Sequence, residues 1–150
     1  MHKLSSNDSI RILLVDAQQD DVKRIETAFS NTDVEPSIHN IHDGDVALDF
    51  LRTCAESSSK KFPNLLLVAM ELPGCSGLEL LETIRNESNL QHLPVIILTR
   101  SESCAEISRL YDAYANAVLL KPGDFDGFVA IAEAVNRFWC QRAHLPPIGV

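Results

Sequence analysis

Short aliphatic runs alternate five times with longer amphipathic stretches along the chain. The runs are "IRILLVD" (Ile10 to Asp16), "SIHNI" (Ser37 to Ile41), "LLLVAM" (Leu65 to Met70), "VIILT" (Val95 to Thr99) and "AVLLK" (Ala117 to Lys121). Continuous apolar runs of this length, rich in Val, Ile and Leu, read as strands buried on both faces. The second run carries Ser, His and Asn and reads as an edge strand. Between the runs the period becomes helical. Val22, Ile25 and Phe29 form one stripe; Val46, Ala47, Phe50 and Leu51 a second; Leu78, Leu81 and Ile84 a third; Ile107, Leu110 and Tyr111 a shorter fourth. Phe128, Ile131, Ala132, Val135, Phe138 and Trp139 form a long last one. Each has the spacing of a helix face turned to a core. Strand and helix in regular alternation predict an α/β fold, a doubly wound parallel sheet with helices on both faces.

The segment "RTCAESSSKKFPN" is rich in Ser and Lys, contains Pro63, and reads as an exposed loop. Met1 to Ser9 and residues 143–150 read as tails, the second with "HLPPIGV" able to lie as an extended strap. One domain over residues 10–142 is therefore expected, and 150 residues suit a single core.

Composition narrows the function. With 13 Lys and Arg against 21 Asp and Glu, the net charge of -8 repels nucleic acid and anionic lipid, leaving protein partners favoured. No apolar run approaches the ~20 residues of a membrane span, and the N-terminus lacks an apolar signal core, so a cytoplasmic protein is expected. Cys54, Cys75, Cys104 and Cys140 stand far apart, with no C-x-x-C pair, and read as reduced thiols with no metal role. Cys75 alone lies in a turn near the strand ends.

In a doubly wound sheet, ligands collect outside the carboxyl ends of the strands. The candidates there are Asp16, Ala69, Glu71, Thr99 and Lys121. An acid, a hydroxyl and an amine converging on one crevice ordinarily suit phosphate and a divalent cation. That set, with "ILLVDA", "DGDVALDFL", "PNLLLVAMELPGCSGLELLETIR", "LPVIILTRS" and "ANAVLLKP", resembles the receiver domain of two-component response regulators over about Ile10 to Arg142. The loop before the third strand and the ending "NRFWCQRAHLPP" are similar, more narrowly, to the single-domain regulators that accompany phytochrome-type sensor kinases. The resemblance implies a flavodoxin-like receiver fold, five strands in the order 2-1-3-4-5 flanked by five helices.

Such receivers accept a phosphoryl group on an Asp at the end of the third strand, assisted by Mg2+ held by nearby acids. Residue by residue, that Asp falls on Ala69, a register pinned by Leu72-Pro73-Gly74. The paired acids ending the first strand fall on Asp16 and Ala17, so one ligand carboxylate is gone, and no cofactor or metal is expected. Asp20 and Asp21 are read as favourable charges at a helix start. Glu71 falls where the family offers a backbone carbonyl, its side chain reading as a solvated loop acid. The aromatic switch position falls on Val118. Asp16 against Lys121 leaves a net charge of zero, which predicts a direct contact between them with no metal between. Thr99 is read as a satisfied strand-end hydroxyl.

A pseudo-receiver follows: no catalytic residue, and signalling by phosphorylation-independent binding to a protein partner. A sensor histidine kinase or another regulator is the expected class, together with a homodimer. Interface candidates are Ile107, Leu110, Tyr111, Phe138 and Trp139 on the face of the fourth helix, fifth strand and fifth helix. Two alternatives stand beside this: a phospho-switch carrying an inactivating Asp-to-Ala change at residue 69, and a small-ligand or redox module using the same crevice with Cys75 on its rim.

Overall fold

The aliphatic runs become strands because their alternating side chains find apolar partners on both sides of one sheet. In the computed structural model, which describes residues 10–141, β1 (Arg11–Val15), β2 (Ser37–Ile41), β3 (Leu65–Ala69), β4 (Val95–Thr99) and β5 (Ala117–Leu120) pair in parallel in the order β2-β1-β3-β4-β5. Five helices connect and cover them: α1 (Gln19–Ser30), α2 (Gly44–Glu56), α3 (Gly77–Asn86), α4 (Cys104–Asp112) and α5 (Phe125–Val135). The expected fold class and strand order are both present. The two tails and the strap read from "HLPPIGV" lie outside the described residues.

The period of two sorts each central strand between two cores. Leu13, Val15, Leu66, Val68, Val95 and Ile97 face Ala47, Leu51, Leu80, Leu81, Ile84 and Leu110 on the α2, α3 and α4 side. Ile12, Leu14, Leu65, Leu67, Ile96 and Leu98 face Val22, Ile25, Phe29, Phe128, Ala132 and Val135 on the α1 and α5 side. Three stripe residues depart from the core reading: Val46 is 55%, Tyr111 48% and Phe138 57% exposed, whereas Leu110 is 1% exposed. Leu110 is therefore corrected as an interface candidate, since it anchors α4 to the sheet and offers nothing to a partner.

β5 is as apolar in sequence as a central strand, yet the order puts it at the outer edge, and Leu120 is 52% exposed. The last helix also differs from expectation. Its α-helical hydrogen bonding ends at Val135 and continues as a π-helical turn over Asn136–Cys140. A π turn needs a local reason, and Asn136 supplies one. Its buried side chain donates to Thr32 Oγ1 (3.0 Å) and to the Val34 carbonyl, and accepts from the Val34 N–H (3.2 Å) and Gln141 Nε2 (2.8 Å). The turn thereby holds the link between α1 and β2.

Caps fix where the helices begin, and with them the loops at the strand ends. Ser76 accepts from Glu79 N–H while Glu79 reaches back to Ser76 N–H, a capping box at α3. Asp43, Ser103 and Asp124 cap α2, α4 and α5. α1 has no side-chain cap, so the acids of its first turn are free for other partners.

Candidate functional site

The parallel sheet brings the carboxyl ends of β1, β3, β4 and β5 to one edge. Asp16 follows β1 and is fully buried. Its Oδ1 accepts from Gln18 N–H at 2.9 Å, a bond that turns the chain into α1. Lys121, 7% exposed at the end of β5, places Nζ 2.7 Å from Asp16 Oδ2. This is the direct contact expected from charge matching. It is an ion pair rather than an aligned hydrogen bond, for Asp16 Oδ2 has no donor in hydrogen-bonding geometry. Its stabilisation is Coulombic and depends on the crevice staying dry.

Lys121 has a second anionic neighbour. Asp21 Oδ2 lies 2.9 Å from the same Nζ and 3.0 Å from Arg100 Nη2, while Asp21 Oδ1 lies 3.3 Å from Arg24 Nη1. Asp21 is 3% exposed, and the helix-start reading of this residue is corrected. Burial alone would raise its carboxyl, but Lys121 and Arg100 outweigh it and hold Asp21 below the ordinary carboxylate range. Asp20 is exposed and keeps the helix-start explanation. The signal that finds Asp21 is its spacing: four before Ile25 and seven before Ala28, it lies on the buried stripe of α1.

Ala69 ends β3 in the middle of this edge, 3% exposed. The loop after it folds back tightly. Gly77 N–H donates to the Met70 carbonyl at 2.8 Å, and a Cβ on Gly77 would stand 2.6 Å from the Ala69 carbonyl oxygen. Gly74 has φ +77, a left-handed conformation, and packs on the Asp43 and Asp45 carboxylates at the start of α2. Glu71 projects to solvent from this loop, and Ala17, next to Asp16 after β1, is half-buried. Cys75 is half-buried, its thiol pushed up to about 11 by burial and then by the Asp45 carboxylate.

Thr99 is 6% exposed, and its Oγ1 accepts from Ser101 N–H at 3.0 Å. Ser101 Oγ in turn accepts from Ser103 N–H at 3.1 Å, leading into α4. The hydroxyl thus shapes the loop between β4 and α4. Val118 packs half-buried on the α2, α3 and α4 core, and its N–H, on the open edge of β5, donates to Tyr111 Oη at 3.0 Å. The site therefore gathers Asp16, Thr99 and Lys121 with Asp21 and Arg100. Ala69 and Ala17 border it without functional groups, and Glu71 stands away in solvent.

Of the interface candidates, Ile107 is half-buried and Tyr111 exposed on α4. Phe138 is 57% exposed and meets half-buried Trp139 edge to face at 5.0 Å. Leu120 (52% exposed), Phe125 (40%) and Tyr114 (74%) are also exposed and were not singled out by periodicity. No helix among the described residues is long and apolar enough to cross a membrane.

Comparison with known proteins agrees with this geometry. The model of the response regulator receiver domain family matches residues 12–133. The probable methanogenesis regulatory protein FilR2 of Methanothrix harundinacea (strain 6Ac) is 31% identical, over 91% of this chain and 87% of that protein. Response regulator Rcp1 of Synechocystis sp. is 26% identical, over 94% of this chain and 96% of its own length. Among solved structures, the phosphorylated cyanobacterial phytochrome response regulator RcpA superposes with a TM-score of 0.84 at 28% identity, covering 93% of this chain and 99% of that one. The Mn2+-bound form of Rcp1 superposes with a TM-score of 0.82 at 26% identity, covering 92% and 99%. With a sheet order, a strand-end cluster and a family match that all coincide, the chain belongs to the response regulator receiver domain family.

Proposed function

We propose that this receiver takes part in two-component signalling as a pseudo-receiver, by phosphorylation-independent protein binding in the cytoplasm and without catalysis of its own. Its partners are a sensor histidine kinase or another regulator, and a second copy of the chain. The observation that carries the reading is the strand-end cluster. Lys121 is buried against two carboxylates, while Ala69 presents a methyl group where the family places its acceptor.

The metal chemistry of the family fits these residues poorly. Mg2+ takes hard oxygen ligands in near-octahedral geometry. Ala17 and Ala69 have no side-chain oxygen, and both buried carboxylates are already neutralised, Asp16 by Lys121 and Asp21 by Lys121 and Arg100. A resident Mg2+ would have to displace a buried ammonium, so no step is assigned to one. RcpA was solved phosphorylated and Rcp1 with Mn2+; the same fold here keeps the surface and gives up the reaction. An inactivating change at residue 69 alone leaves Ala17 and Val118 unexplained. A redox module is disfavoured by the raised Cys75 thiol, which is mostly protonated at neutral pH and so a weak nucleophile.

Binding falls to the exposed apolar residues Tyr111 of α4, Leu120 of β5 and Phe138 of the π turn, with part of Trp139. Sedimentation velocity of the full chain, with and without acetyl phosphate and Mg2+, tests the proposal. The expected result is one concentration-dependent self-association, unchanged by the phosphodonor and weakened by Phe138→Glu. A distribution that shifts only when the phosphodonor is added would overturn it.

A further inference from the structure

Asp21 joins segments that are remote in sequence. From the first turn of α1 its Oδ2 meets Lys121 at the end of β5 and Arg100 in the loop between β4 and α4, 79 residues along the chain. Through Lys121 it is also linked to Asp16 at the end of β1. Four of the segments that line the crevice therefore share one group of charges, and an internal anion stands at its centre. Arg100 is otherwise a surface residue, its side chain 57% exposed, and this single ion pair ties its loop to α1. The loop it belongs to carries Thr99 and Ser101, whose hydroxyls set the backbone leading into the Ser103 cap of α4.

We propose that Asp21 is a built-in latch: its carboxylate draws Arg100 onto α1 and keeps the β4–α4 loop, and with it the start of α4, in one conformation without any added charged group. Asp21 is a positioning residue, acting through Arg100. The inference deepens the phosphorylation-independent reading by naming what fixes the surface on the α4 side. It differs from a generic stabilising ion pair in being directional. Arg24 touches the other oxygen of the same carboxylate but sits on the same helix, three residues on, so it contributes nothing to closing the loop.

The test is amide hydrogen exchange of the full chain, followed on peptides covering residues 100–112, in Arg100→Gln, Asp21→Asn and the control Arg24→Gln. Arg100→Gln removes a mostly exposed side chain and leaves the Asp21–Lys121 pair, so it keeps the fold even if Asp21→Asn does not. Opening of a latched loop is local, and exchange there is expected to rise about tenfold in Arg100→Gln with other peptides unchanged. Arg24→Gln is expected to stay within about twofold of the parent, and Arg100→Lys, which keeps the charge, to recover part of the protection. The Asp21→Asn/Arg100→Gln double variant should show no further opening of this loop beyond Asp21→Asn. Unchanged exchange in Arg100→Gln, or an equal rise in Arg24→Gln, would overturn the latch. These measurements contain no phosphodonor, so they stand apart from the functional reading. Repeating them on the parent chain with acetyl phosphate and Mg2+ tests that reading alone: added protection there would overturn phosphorylation independence and leave the latch standing.

Discussion

Replacing Lys121 with Met tests whether the strand-end cluster is a buried network or a set of solvent-screened charges. Met keeps much of the apolar stem and removes the ammonium. At an effective dielectric near 20, charges 2.7 and 2.9 Å apart attract by roughly 6 kcal/mol per pair before desolvation. Desolvation offsets most of that in the intact cluster, so the pair adds little net stability as it stands. Removing one partner is different, because the desolvation remains and the attraction does not. Two carboxylates are then left, and Asp16, with 0% exposure and no aligned donor on Oδ2, has no cation. Breaking a buried pair in this way typically destabilises by 3–5 kcal/mol, so a loss of about 4 kcal/mol is expected, or roughly 10 °C in Tm for a domain of this size. The pH dependence gives a second reading. In the parent, Asp21 is held low by Lys121 and Arg100 against burial. Its contribution is present above the unfolded carboxylate value, about 3.9, and is lost only as pH falls through its lower folded value. In the variant Asp21 loses Lys121, the cation that does most to hold it low, so burial pushes its carboxyl up and it binds a proton more readily in the folded state than in the unfolded one. Stability of the variant should therefore rise as pH is lowered from 7 to about 5, over which the Asp21 contribution in the parent stays flat. Urea unfolding at both pH values measures this. A loss below about 1 kcal/mol with the parent's pH slope would refute the buried network.

Three other outcomes follow from the same geometry. Gly77→Ala would place a Cβ 2.6 Å from the Ala69 carbonyl oxygen and 2.9 Å from Met70 Cα, both backbone atoms that cannot yield cheaply; a loss of about 2 kcal/mol in urea unfolding is expected, and a stabilised protein would contradict the packing. Asn136→Ala strands the N–H and carbonyl of Val34 and should lower stability by about 2 kcal/mol, with faster exchange at Val34; no change in either would mean the π turn holds nothing. Cys75, with its thiol pushed up to about 11, should be alkylated by iodoacetamide at neutral pH at least about tenfold more slowly than exposed Cys104, and equal rates would reopen the redox alternative.

The central strands were legible because buried parallel strands must be apolar on both faces, whereas their order came from the resemblance to receivers and not from composition. The implied order already set β5 at the edge, but its apolar composition did not show that Leu120 would lie 52% exposed there. At the site, the absence of a functional group at Ala69 and Ala17 and the pairing of Asp16 with Lys121 could be read from residue types at strand ends. Asp21 could not be placed by its type, because an acid in the first turn of a helix has a sufficient electrostatic explanation in solvent. Only its phase with Ile25, Ala28 and Phe29 gives it away. Arg100 was invisible for a related reason: its partner lies 79 residues away, and its side chain is mostly exposed. The π turn at Asn136 has no Pro or Gly to announce it, being set by hydrogen bonds to Thr32 and Val34 across the fold.

The central claim is that the phosphoryl-transfer site has been lost as a unit, with Ala69 only one part of it. Labelling of Ala69→Asp by radiolabelled acetyl phosphate in the presence of Mg2+ tests this most directly. With Ala17 still lacking a carboxylate and Lys121 bound to Asp16 and Asp21, the restored Asp and the parent alike should remain unlabelled. Mg2+-dependent, acid-stable and base-labile label on Ala69→Asp would contradict the claim and leave the single missing carboxylate as the whole of the change.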